Sequence, residues 1–98
     1  MTLNLYRISQ VVNDGYDTYD SAVVAAESED AARRTSPDSC HVWSETKKSW
    51  MFVYSDGSQQ KKSYTAWVDD LDLVKVELIG TAADSVKAGV IVASFNAG

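Results

Sequence analysis

Apolar residues in this chain fall into short runs separated by polar, turn-forming clusters, the pattern of a sheet protein rather than a helical one. From Leu3 to Val12, Leu3 and Leu5 point to one face of an extended segment and Tyr6 and Ile8 to the other. This predicts a strand covered in part on both faces, or bulged near Leu5. Asn13-Asp14-Gly15 breaks it with residues that tolerate left-handed backbone. Tyr16 to Asp20 continues the loop or opens the next strand. Ala22-Val23-Val24-Ala25-Ala26 is apolar on both faces and predicts a central strand. Ser28 is a candidate N-cap, followed by Glu29 and Asp30 in a first turn and Arg33 and Arg34 in a last one. Pro37 disfavours helix at the residue before it, so a short helix is expected over Ser28–Thr35. Its apolar residues are Ala31 and Ala32 alone.

His41-Val42-Trp43 suggests a short strand, and Trp50 to Tyr54 a clear one. Asp56-Gly57 predicts a hairpin turn into a polar return arm, Gln59 to Tyr64, read as an edge strand or a loop. Trp67 to Leu71 reads as a turn or a single 3₁₀ turn. In Leu73–Ile79 the alternation of Val74, Val76 and Leu78 with Lys75 and Glu77 predicts a strand with one buried face. Gly80 to Gly89 is a connection in which a short helical turn is expected at Ala82 to Lys87. Val90–Phe95 is the last strand, expected beside Leu73–Ile79. The fold class is therefore α+β: a mostly antiparallel sheet of four to six strands with one short helix, in one domain over residues 1–98.

Composition narrows this picture. Twelve Val against five Leu favours sheet, since β-branched side chains suit the pleated surface. The net charge of −5 argues against direct nucleic-acid binding, which needs a basic face, and suits docking on a basic protein surface. Cys40 is the only cysteine, so no intrachain disulfide forms. The first residues lack the charged start and apolar run of a signal peptide, and no apolar stretch nears the ~20 residues of a membrane helix. The expected address is the cytoplasm, with no membrane partner.

Candidate chemistry is sparse. The densest cluster is Asp14, Tyr16, Asp17, Tyr19 and Asp20, where three aspartates recur every three residues beside Gly15. Carboxylates in a loop bring calcium to mind, but the spacing is not that of an EF-hand, and a turn or a binding surface is the better expectation. Cys40 and His41 are adjacent, and neighbours on a strand point to opposite faces, so they do not form a nucleophile and base. One His and one Cys are too few ligands for a metal site. Neither catalysis, metal nor cofactor is expected. Trp50, Phe52 and Tyr54 share a strand face and are read as core. Trp43 and Trp67 lie near polar segments and are expected to be partly exposed, as binding residues.

The strings Asn4-Leu5-Tyr6-Arg7-Ile8-Ser9-Gln10, Gly15 to Glu29, Val76-Glu77-Leu78-Ile79-Gly80 and Gly89 to Gly98 resemble a group of small bacteriophage- and prophage-encoded proteins. The resemblance covers both ends of the chain and not the middle, from about Ser36 to Ala66. The group has no assigned reaction, so no catalytic residue is carried over. The resemblance implies a phage-type accessory protein acting in the bacterial host cytosol by binding a host protein, for example as an anti-defence inhibitor. The alternative is a small-ligand or nucleotide-sequestering protein that uses the Tyr16–Asp20 loop. One helix with two alanines cannot cover both faces of a sheet. Either the Ser36–Ser49 segment folds back as a lid or a second copy of the chain covers the remainder, and a homodimer is preferred.

Overall fold

The computed structural model describes residues 2–13, 15–38, 40–61 and 64–96. Among these, seven strands form two antiparallel sheets. The larger contains β1 (Asn4–Ser9), β2 (Thr18–Ala26), β6 (Lys75–Thr81) and β7 (Gly89–Asn96) in the order β6-β1-β2-β7. The smaller contains β3 (His41–Ser44), β4 (Ser49–Val53) and β5 (Gln59–Gln60) in chain order. The α+β class expected from the pattern is what the chain adopts, with its strands divided between two sheets.

Helix α1 (Glu29–Arg33) starts where its cap chemistry places it. The Ser28 hydroxyl accepts from the Ala31 amide at 3.1 Å. Ala32 is fully buried against the larger sheet. The small side chain lets the helix backbone approach, so five residues of mostly polar sequence still seal part of the core.

The core lies on one face of the larger sheet. Tyr6 and Ile8 of β1, Ala22, Val24 and Ala26 of β2, and Val74 meet Ala32, Trp50, Trp67 and Val68. Trp50 donates its indole N–H to the Val68 carbonyl at 3.0 Å, tying β4 to the segment that follows the smaller sheet. On the other face, alternation and register place Leu5, Arg7, Val23, Ala25, Glu77 and Val92. Arg7 and Glu77 pair there at 3.4 Å, partly exposed. Ser36–Ser49 carries β3 and joins the helix side, so it is not a lid over this second face.

Three expectations need correction. β6 and β7 are not neighbours; they are the two edges of the larger sheet. The seven residues between Thr81 and Gly89 reach about 24 Å when extended, enough to cross the roughly 14 Å spanned by β1 and β2. The Ala82 amide fastens this crossing to the Leu3 carbonyl at 2.8 Å. The crossing holds turns, not the helical turn expected at Ala82 to Lys87. Along β6 burial also fades: Val74 just before it is buried, Val76 is half-buried and Leu78 is 64% exposed. The register shift opposite Leu5 and Tyr6 breaks the alternation there, making Ile79 an extra residue on β6. Thus the bulge near Leu5 exists, with its additional residue on the partner strand.

Candidate functional site

The β1–β2 connection is organised by one buried side chain. Gln10, at the end of β1, is almost fully buried. Its amide oxygen accepts from the Val12 and Asn13 amides at 2.9 and 2.8 Å. Its amide nitrogen donates to the Asn13 and Tyr19 carbonyls at 2.8 and 2.7 Å. A primary amide has two donor hydrogens and an oxygen with two lone pairs, so the loop is wound around a saturated group. Further ties come from Asn13, whose side chain donates to the Trp67 carbonyl at 2.8 Å, and from the Thr18 hydroxyl, which donates to the Gly15 carbonyl at 2.6 Å. Asp17 takes positive φ (60°), a conformation that aspartate tolerates better than most residues.

This scaffold turns apolar groups outward. Val11 is 86% and Tyr16 81% exposed, and Val12 is about half exposed. None of the three is needed for the core, yet they stand on a loop held by at least four side-chain hydrogen bonds. Asp17 and Asp20 are exposed beside them. Tyr19 is half-buried and packs on Phe95 with ring centroids 4.8 Å apart. Burial pushes its phenol up, and the nearby Asp38 charge adds to the shift. Tyr19 is thus a buttress of the loop rather than part of its outer surface. Asp14, named with these residues from the sequence, lies outside the described residues.

The two tryptophans expected at the surface part company with the loop. Trp67 is fully buried, which corrects the expectation of partial exposure: polar neighbours in sequence do not prevent a side chain from turning into the core. Its backbone carbonyl, not its ring, meets the loop. Trp43 is half-buried, packs edge-on against Trp50 at 5.3 Å, and borders an open hollow of about 610 Å³ between α1 and the Asp69–Asp72 turn. Around that hollow Asp30, Arg33, Arg34, Glu45 and Lys48 are engaged with one another, while Asp69, Asp70 and Asp72 line it as well. Arg34 binds Glu45, which also pairs with Lys48 at 3.0 Å, and Arg33 pairs with Asp30 at 3.4 Å. Both cationic partners hold the Glu45 carboxyl below its ordinary range, Lys48 most strongly.

A second polar cluster was not legible in the sequence. Asp38 accepts from the Ser36 hydroxyl at 2.8 Å and from the Cys40 amide at 2.9 Å, and its other oxygen lies 2.6 Å from His41 Nδ1. The His41 ring stacks on Tyr64 at 3.8 Å, and the Tyr64 hydroxyl meets Ser36 Oγ at 2.9 Å. The cluster joins β3 to the segment after the smaller sheet and accounts for the single histidine by packing and hydrogen bonding. Cys40 is exposed and does not join His41. The signal was weak because Ser36, Asp38 and Tyr64 are common turn and core residues whose convergence depends on the tertiary fold.

Among the described residues no three His, Cys, Asp or Glu side chains converge as a metal site. No helix among them is long and apolar enough to cross a membrane. Comparison with protein-family models, with curated proteins and with solved structures finds no match for this chain.

Proposed function

We propose that this is a small accessory protein of phage type that acts without catalysis by docking on a host protein through the β1–β2 loop. The observation that carries the reading is the Gln10-centred loop, which holds Val11, Val12 and Tyr16 out in solvent. Exposed apolar and aromatic side chains on an ordered loop bind with little loss of conformational entropy, and tyrosine is favoured at interface hot spots. Asp17, Asp20 and the net charge of −5 favour a partner whose receiving pocket is apolar and ringed by basic residues. The sequence resemblance supports a host defence or regulatory protein in the bacterial cytosol as that partner. The outward-turned side chains Val11, Val12 and Tyr16 suit a protein partner better than a sequestered small ligand at Tyr16–Asp20.

Quantitative capture from bacterial lysate tests this. The wild-type chain is compared with Tyr16→Ser and Val11→Ser, two surface changes expected to leave the melting temperature unchanged. A host protein retained by wild type and reduced at least about tenfold by either change, the effect of losing ~1.4 kcal/mol, is the expected result. Identical capture by all three chains would refute the role of the loop.

A further inference from the structure

The larger sheet ends on two unlike edges. β6 carries Lys75 and Glu77, charges that discourage further strand pairing. β7 reads Gly-Val-Ile-Val-Ala-Ser-Phe-Asn and has no charged side chain in eight residues. Among the described residues β7 pairs with β2 alone. Ile91 and Val92 are 51% and 60% exposed. The smaller sheet offers no equivalent: β5 has two residues, and the free side of β3 is bridged by Thr35 to Val42. A long, uncharged, apolar strand edge is a template for pairing with another strand.

We propose that β7 pairs antiparallel with β7 of a second copy about a two-fold axis, joining two four-stranded sheets into one of eight strands. Charge permits this occupant at β7: each chain carries −5, so two copies repel overall, but β7 against β7 sets no carboxylate opposite another. Antiparallel self-pairing is also the arrangement that a two-fold axis imposes when one strand meets its own copy in a continuous sheet. Size agrees. Eight residues at about 3.4 Å present an edge about 27 Å long, and two such edges with side chains on both faces bury on the order of 1,000 Å² in total, the threshold of a specific interface. The proposal does not depend on the role of the β1–β2 loop, which abuts only the last residues of β7, where Tyr19 packs on Phe95.

Sedimentation equilibrium of the full chain across the micromolar range tests it. The expected mass is twice 10.7 kDa for wild type. Val92→Lys and Ser94→Lys place charge on exposed positions of β7 and are expected to halve the mass without altering the far-ultraviolet circular dichroism. Leu78→Lys, on the opposite edge, is expected to leave the dimer intact. A monomeric wild type would overturn the proposal. A dimer that survives both β7 changes, or one dissolved by Leu78→Lys alone, would equally overturn it.

Discussion

Gln10 is the residue on which the candidate site depends. Its four hydrogen bonds replace a ladder of backbone pairs that the wide loop cannot make for itself. Gln10→Ala leaves those backbone groups to find water, at an expected cost of about 1–3 kcal/mol in denaturant unfolding. Partner capture should weaken in the same variant although no exposed side chain has changed. Trp67 provides a contrast. Its ring is fully buried, and among the described residues its Nε1 has no hydrogen-bond partner. Trp67→Ala is expected to cost about 3–5 kcal/mol through lost burial and a cavity. Trp67→Phe should cost distinctly less, since its ring still fills most of the cavity and the unsatisfied N–H is lost in both variants. Equal losses in thermal unfolding would contradict the account of Trp67 as a filler of the core.

Tyr64 adds a pH dependence at the same scale. Burial pushes its phenol well above the ordinary value of 10.0. The folded state therefore keeps its proton where the unfolded state has released it. The stabilisation is complete below about pH 10 and falls as pH rises beyond that value. Wild type should lose stability more steeply above pH 10 than Tyr64→Phe, as measured by urea midpoints on both sides of that pH. Parallel curves would contradict this assignment.

At the scale of elements, local chemistry and local pattern agree wherever the element is governed by its own residues. Ser28 caps α1, as its spacing from Glu29 and Asp30 implied, and Ser28→Ala should lower stability by about 0.5–2 kcal/mol in the same assay. The Asp56-Gly57 turn forms, with Gly57 at positive φ (88°) and the Asp56 carboxylate accepting from Ser58. The double-faced apolar run at Ala22–Ala26 does lie in the sheet interior, between β1 and β7. What local pattern did not reveal was strand order. Alternation in β6 and the apolar run in β7 are compatible with any neighbour, and the short crossing between them suggested the wrong one. Nor did it reveal Gln10, because a polar residue closing a strand reads as solvent-facing until the loop is seen to fold back over it. The same holds for Asp38, whose partners Ser36, His41 and Tyr64 come from three separate segments. The sequence pointed to an exposed stretch at Tyr16, Asp17 and Asp20, which the structure places at the loop and the start of β2, but not to what holds the loop or to its exposed apolar residues Val11 and Val12.

For the whole molecule, the arrangement separates two roles. One face of the larger sheet and the smaller sheet close the core, while the hairpin end of β1 and β2 carries exposed apolar groups next to carboxylates. With an overall charge of −5, the proposed association with a basic partner should be faster at low ionic strength and slow as salt is added, whereas dissociation, which the proposal assigns to Tyr16 and Val11, should change little. All of this requires that the loop be ordered before any partner arrives. Amide hydrogen exchange of the free protein tests that requirement most directly, because the Val12 and Asn13 amides donate to the Gln10 side chain, their partner among the described residues. Both amides should exchange far more slowly than the neighbouring Val11 amide in wild type, and should lose that protection in Gln10→Ala. Exchange of Val12 and Asn13 at unprotected rates in the wild-type chain would contradict a loop ordered in advance for binding.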